Sequence, residues 1–304
     1  MVLLLTNSAY DTTPEMVMDW LAYYKQKFKR LHAENYPNWN LENIEKVSTV
    51  WFWRWGLEKG LPPTTVLDNV KNTIILNDNI KGENKMLSQY FMYLLKSKNW
   101  LSHPSLINVN KLIVLDEAKA VGFNIPEYQI VNSKQRLQDF KKKHGRIITK
   151  SLDNTFPLSS AAYLIMFYTK EITNTEAVPT IFPSSFIQKF IPKTLEIRTF
   201  YFNKEIFSMA IMTPNSEVDH RKHSKNLRKV PYKLTYEIED KIHLLMKALN
   251  LETGSLDFML GHDDLIYFLE VNPIGQFSMV SEPCNYFLEK KVALHLKTLH
   301  EKKH

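Results

Sequence analysis

The sequence of 304 residues holds a single cysteine, Cys284. No internal disulfide and no cysteine-rich metal cluster can be assembled from one thiol, which agrees with a reducing compartment. A lone cysteine of this kind reads as a packed side chain. Long apolar runs are missing as well. No stretch approaches the roughly 18 residues of a membrane-crossing helix, and the apolar run at residues 2–5 lacks the cationic start of a signal peptide. A soluble, cytoplasmic protein with no membrane partner is the expectation. There is no internal repeat and no low-complexity segment, so repeat architectures are excluded.

What is present suffices for a substantial core: 44% of the chain is hydrophobic, and its length corresponds to about two domains or one domain built of lobes. The formal net charge is +7. Nucleic acid, an anionic nucleotide or an acidic peptide would each answer to that charge, which alone does not choose among them. Basic clusters at residues 25–30 and 141–143 fall on helical-looking segments and read as solvated faces. A third, at residues 221–229, lies in a loop-like stretch.

Hydrophobic periodicity and turn chemistry divide the chain. Residues 1–6 read as a buried strand, and Thr13 with Pro14 supplies an N-cap and a first-turn proline for a helix to about Lys27. Strands at 28–32 and 47–53 complete a β-α-β alternation, which implies a small parallel sheet. A helix over 82–97 follows, and 99–105 looks like a boundary. Beyond it come a helix over 109–122, a strand at 128–131, a helix over 133–144 and a strand at 146–150. After a less regular stretch at 173–185, strands are expected at 186–191, 195–202 and 205–212, with Asn203-Lys204 as a two-residue hairpin turn. A helix over 236–249, strands at 254–260 and 265–271 and a helix over 286–300 close the chain. The fold class is α/β (α+β), with an N-terminal segment at 1–105, a central α+β lobe at 106–185 and a C-terminal antiparallel lobe at 186–304.

The strongest chemical signal is the pair of strands around Asp257 and Glu270. With residues 261–264 as the loop, Leu260 is expected opposite Leu265 and Asp257 opposite Phe268. Alternation then puts Phe268, Glu270 and Asn272 on the face that carries Asp257. Three oxygen donors converge there, the hard ligand set that Mg²⁺ takes when it is held together with nucleotide phosphates. Outer-face positions of an ordinary hairpin are the plain alternative.

The order Asp257, Glu270, Asn272 resembles the metal-binding end of the ATP-grasp superfamily, and the upstream chain carries further parts in the family's order. Asn110-Lys111 at a helix start resembles the first nucleotide-binding lysine, and Lys150 at the end of a strand resembles the second. Residues 186–191, with Gln188, Lys189 and Ile191, resemble the linker that holds adenine. Glu196-Ile197-Arg198 resembles the acidic-x-Arg element after it. The resemblance implies an ATP-grasp fold, ATP and Mg²⁺ as cofactors, and a ligase that phosphorylates a carboxylate and passes the acyl group to a nucleophile. Lysines suit phosphates as point charges, and Arg198 can grip an acyl phosphate through two parallel bonds. The loop at 151–155 departs from the family pattern in having no glycine, where backbone amides commonly approach phosphates.

Within the superfamily the chain is similar to the graspetide ligases, the microviridin-type and grasp-with-spasm peptide maturases. The residues behind this are Trp51-Phe52-Trp53-Arg54, the loop Val218-Asp219-His220-Arg221 with Arg228 beyond it, and the tail from Glu282 to Lys291. The resemblance implies activation of Asp or Glu side chains of a ribosomal precursor peptide, a leader plus a core rich in Thr/Ser and Asp/Glu. Capture by Thr or Ser gives ω-esters and capture by Lys gives ω-amides. Asp219 would accept a proton, and Arg221 or Arg228 would clamp the acyl phosphate. Neither nucleic acid nor membrane is implied as a partner, and a homodimer is an open option. The alternatives are an amino-acid-adding ligase with the same nucleotide machinery and a peptide-binding ATP-grasp protein without turnover.

Overall fold

The computed structural model describes residues 1–7, 10–33, 41–56, 70–152, 158–159, 164–165, 169–212 and 227–301. The chain forms two compact units, one of residues 1–107 with 274–304 and one of residues 108–273. Residues 274–304 therefore group with the N-terminal part of the chain. Among the described residues no helix is long and apolar enough to cross a membrane.

The first unit opens with β1 (Val2–Thr6), α1 (Thr12–Tyr23), β2 (Phe28–His32), β3 (Thr49–Trp53), α2 (Val70–Leu94) and β4 (Asn99–Leu101). The strands lie in the order β2-β1-β3-β4 and every pairing is parallel. β1 and β3 are buried at all positions, as continuous apolar strands covered on both faces must be. Three details differ from the sequence reading. The cap of α1 is Asp11, whose side chain accepts from the Thr13 amide, while the Thr13 hydroxyl lies 3.0 Å from that of Ser278. The stretch expected as a boundary supplies β4, because parallel pairing with β3 rewards even three residues there. α2 also starts at Val70, a dozen residues before its expected start.

The second unit contains α3 (Lys111–Ala120), β5 (Tyr128–Ser133), α4 (Lys134–His144), β6 (Ile147–Thr149), the short pair β7 (Leu158–Ser159) and β8 (Leu164–Ile165), and β9 (Lys170–Glu171). It continues with β10 (Ile181–Lys189), β11 (Lys193–Phe202), β12 (Glu205–Met212), β13 (Arg228–Tyr232), α5 (Tyr236–Ala248), β14 (Thr253–Gly261) and β15 (Ile266–Asn272). One sheet has the order β5-β10-β6-β9 and the other β13-β12-β11-β14-β15. β10 begins earlier than expected and lies between β5 and β6, antiparallel to both. The expected turn at Asn203 and Lys204 is present, with φ of 47° and 66°, the left-handed pair that a two-residue hairpin requires. The chain then returns to the first unit as α6 (Ser278–Cys284), which the sequence reading lacks, and α7 (Leu288–Glu301).

Candidate active site

A cleft of about 170 Å³ lies in the second unit, lined by β6, β10, β11, β14 and β15. Ile148, Met259 and Leu269 give it apolar wall, and Lys150, Gln188, Lys193, Glu196, Arg198, Asp257 and Glu270 give it charge and polarity.

The register of β14 and β15 decides which side chains reach the cleft. Phe258 pairs with Phe268 and Leu260 with Ile266, but Asp257 pairs with Glu270, so Leu269 is an extra residue in a bulge. The expected pairing of Asp257 with Phe268 is thereby corrected by two residues, one from the register, in which Leu260 meets Ile266 and not Leu265, and one from the bulge. The bulge reverses the alternation of β15. Phe268 and Val271 are buried together with Leu256 and Phe258, while Glu270 turns to the face of Asp257. Asn272 pairs with Ser255, two positions along the same ladder. The oxygen donors do share a face, through a bulge that simple alternation omits.

Cations meet these carboxylates from both sides. Arg198 faces Asp257 across β11 and β14, its Nε 3.6 Å from Oδ1. Lys111, in the first turn of α3, places its Nζ 3.6 Å from Glu270 Oε2 and donates to the Ser151 carbonyl at 3.3 Å. Asn110 caps that helix by accepting from the Leu112 amide at 2.9 Å. Lys150 follows β6 directly, with its Nζ 5.6 Å from the centre of the Phe186 ring. Burial pushes its ammonium below the usual lysine range; Glu270 and Asp257 oppose that shift and Lys111 adds to it. Lys111, Lys150 and Glu270 thus form one electrostatic group.

Gln188 is buried, lines the cleft and donates to the Pro126 carbonyl at 3.5 Å. Lys189 is its strand neighbour and takes the opposite face; its amide donates to the Glu127 carbonyl at 2.8 Å. Ile191 is buried. Lys189 and Ile191 lie outside the cleft wall, as do Lys111 and Asn272. Arg228 begins the edge strand β13, exposed and outside the cleft lining, so the structure does not bring it to the other candidates. Asp219 and Arg221 lie outside the described residues.

Lys193 escaped the sequence reading. It is buried on the cleft wall and ion-paired with Glu196, three residues on. Regular alternation would send the two to opposite faces, but the pairing of β11 with β14 shifts between Lys193 and Leu195. A lysine beside the apolar run of a buried strand was the available signal.

The donor set fits magnesium ATP. Two carboxylates opposed on one ladder and an amide two positions on offer hard oxygen donors of the kind Mg²⁺ takes. Among the described residues no group of three His, Cys, Asp or Glu gathers, so a site rich in nitrogen or sulfur ligands is not built there. A buried ammonium whose charged form is disfavoured gains from a polyphosphate.

No family model matches the sequence, and no curated protein matches it. Solved structures do. The macrocyclase MdnC bound with precursor peptide MdnA, from Microcystis aeruginosa MRC, superposes with a TM-score of 0.82 at 22% identity, over 98% of this chain and 99% of that one. A Chryseobacterium gregarium RiPP-associated ATP-grasp ligase, in complex with ADP and a leader and core peptide, gives 0.77 at 19% identity, over 100% of this chain and 97% of that one. The ATP-grasp ligase PsnB, complexed with a phosphomimetic variant of minimal precursor, Mg and ADP, gives 0.74 at 14% identity, over 98% of each chain. The chain has the ATP-grasp fold.

Proposed function

We propose that the chain is an ATP-dependent peptide ligase. It activates Asp or Glu side chains of a ribosomal precursor peptide and closes ω-ester rings with Thr or Ser, or ω-amide rings with Lys, in the cytoplasm. The observation that carries this reading is that Glu270 and Asp257 line one cleft with Arg198 and the buried ammonium of Lys150, Arg198 pairing with Asp257 and Lys111 reaching Glu270 from α3. Likeness over the whole chain to ligases solved with precursor peptides supports a peptide as the substrate.

The residues divide the work by charge. Magnesium ATP bound here would supply the phosphoryl group that makes a carboxylate's carbonyl open to attack. Asp257, Glu270 and Asn272 would hold the metal, and Lys111 and Lys150 would hold phosphate oxygens as point charges. Arg198 stabilises negative charge on the activated carboxylate through a planar fork of donors. Lys193 fixes Glu196 at the cleft wall, and Gln188 offers amide polarity where the apolar side chains Ile148 and Met259 leave room for a flat ring. The attacking hydroxyl or amine loses its proton as it adds, a step for which Asp219 is the candidate base, with Arg221 as a second clamp.

The test uses a candidate precursor from a short neighbouring reading frame rich in Thr and Asp/Glu, incubated with the protein, Mg²⁺ and ATP and then weighed. Loss of one water mass per ring is expected, regained after mild alkali for esters and retained for amides. An unchanged peptide mass with incorporation of a free amino acid would replace this reading with an amino-acid ligase. No ATP turnover with any partner would leave a binding protein.

A further inference from the structure

β1 and β3 pair in parallel and end together, with Thr6 opposite Trp53. From there the chain leaves to opposite sides of the sheet: β1 leads through α1 to β2 on one flank, and β3 leads through α2 to β4 on the other. In open parallel sheets, ligands bind outside the carboxyl ends of the strands at such a divergence. The first residues past the two strand ends are Asn7 and Arg54. Both carry polar groups that the described residues leave unanswered.

Arg54 is half-buried and held in one pose. Its φ of 56° lies in the left-handed region, which costs energy for any residue with a Cβ. Its Nε donates to the Ile274 carbonyl at 3.3 Å, and its guanidinium carbon lies 5.2 Å from the centre of the Trp53 ring. Trp53 is fixed in turn, its Nε1 donating to Asp11 Oδ2 at 2.7 Å and its ring standing edge-on to Phe277. Asp11 is committed elsewhere. One of its oxygens takes the Trp53 indole, and the other caps α1 by accepting from the Thr13 amide at 3.3 Å. Burial pushes the Arg54 guanidinium below the usual arginine range, and the charge of Asp11 only opposes that shift. With Nε spent on Ile274, the open edge of the guanidinium is the one formed by Nη1 and Nη2, which have no hydrogen-bond partner among the described residues. Two parallel N–H groups on one edge match the two oxygens of a carboxylate. Beside it, Asn7 Oδ1 is buried without a partner and calls for a donor. An acidic residue of a peptide brings both, a carboxylate and an N–H.

We infer that the carboxyl ends of β1 and β3 form a carboxylate-binding subsite, anchored by Arg54 with Asn7 beside it, which holds an acidic residue of the peptide other than the one being activated. The inference rests on the ligase reading for its peptide. It does not rest on that reading for its residues, since every cleft-lining side chain belongs to the second unit and Asn7, Asp11, Trp53, Arg54 and Ile274 belong to the first. A carboxylate held by Arg54 stays a carboxylate, and its contribution is positional. A second point of attachment restricts which stretch of the peptide is presented for activation, and binding energy at a non-reacting group offsets the entropy of ordering the reacting one.

The experiment measures the affinity of the full chain for a fluorescently labelled precursor peptide by anisotropy without ATP, and ring closure with magnesium ATP in parallel. The probes are the precursor, its single Asp-to-Asn and Glu-to-Gln forms, and the precursor with an amidated C-terminus. Arg54→Gly takes up the left-handed φ without strain, so it should keep the wild-type thermal midpoint and the wild-type affinity for magnesium ATP. Its Kd for the peptide should rise about tenfold or more, the worth of a two-pronged charged contact. Arg54→Lys should recover only part of that loss, since it restores the charge without the fork. Neutralising one particular carboxylate of the peptide should weaken binding to the wild type by the same factor and have no further effect on Arg54→Gly. A side-chain amide with that signature assigns the subsite to an internal acidic residue, and the C-terminal amide with that signature assigns it to the end of the peptide. Equal affinity of the wild type and both variants, or losses that add for every neutralised carboxylate, overturns the proposal while ring closure by the wild type leaves the ligase reading standing. A wild type that neither binds nor closes the peptide overturns the ligase reading, and the subsite falls with it.

Discussion

β1 and β3 on one side and β14 and β15 on the other show two ways of using an apolar strand. The first pair is buried at every position, with neighbouring strands along the edges and the α2 and α7 helices packed against the sheet. The second pair buries Leu256, Phe258, Phe268 and Val271 and leaves Asp257 and Glu270 half-exposed on a cleft. A strand closed on both faces can only contribute stability. A strand closed on one face offers alternate side chains to a ligand while the others hold it in place. Substitutions in the two regions should therefore separate function from folding.

The largest functional effect is expected in the half-open pair. Glu270→Ala or Asn272→Ala should lower ligation at least about 100-fold, since lost metal coordination removes several kcal/mol of charge neutralisation. Both variants should remain folded, because neither side chain is packed in the core, and Asn272→Ala should scarcely move the thermal midpoint. Near-normal turnover by either variant would remove the metal assignment.

The closed pair should give the reverse pattern. Leu4 is fully buried in β1, and Leu4→Ala should cost about 2–5 kcal/mol through lost transfer energy and the cavity left behind. Chemical denaturation would read that loss directly. The kcat of the fraction that remains folded should stay near wild type. A large fall in kcat at unchanged stability would mean that the two regions are not separable in this way.

How far the sequence exposed this contrast depends on the locality of each signal. The continuous apolar residues 2–5, the Asn203-Lys204 turn and the alternation within β14 around Asp257 are local, and each appears in the structure as its residues imply. The partners of a strand are not local. β4 has three residues, and only pairing with β3 makes Asn99 to Leu101 a strand rather than a linker. The bulge at Leu269 left a trace in the spacing of Phe268 and Val271, three apart and both buried, but that spacing reads equally well as ordinary variation. Lys193 was hidden for the same reason, its face being set by a register shift against β14. Of the candidates, Lys150, Gln188, Glu196, Arg198, Asp257 and Glu270 line the cleft, and they were singled out together through their order along the chain, which survives changes of register.

A smaller effect is expected at Arg198, whose contact with Asp257 links β11 to the β14–β15 hairpin. Arg198→Lys keeps the charge and loses the planar fork. A fall of about ten- to hundredfold in kcat/KM for the peptide is expected, matching the roughly 1.5–3 kcal/mol of a hydrogen bond to a charged group. Retention of most of the rate in single-turnover assays would make Arg198 a structural partner of Asp257.

The smallest effect is expected at Lys150, and its sign is the informative part. Burial lowers the folded-state pKa of this ammonium, against the opposing pull of Glu270 and Asp257. A base whose folded pKa lies below its unfolded value destabilises the fold while protonated, and the penalty is relieved as pH rises from the lowered value towards that of an ordinary lysine. Below the lowered value the penalty is in full force, and it fades only as pH approaches the range of an ordinary lysine. Lys150→Met removes it, so the nucleotide-free variant should melt slightly above the wild type at pH 7, and the gap should narrow as pH rises through the alkaline range. With magnesium ATP the order should reverse, because a ligand that binds only the folded wild type raises its midpoint by mass action. Differential scanning fluorimetry at two pH values, with and without nucleotide, measures all four quantities. A variant that melts below the wild type without nucleotide, with the same nucleotide response, would show that Lys150 is held for structure and would move the phosphate-binding role to Lys111 and Lys193.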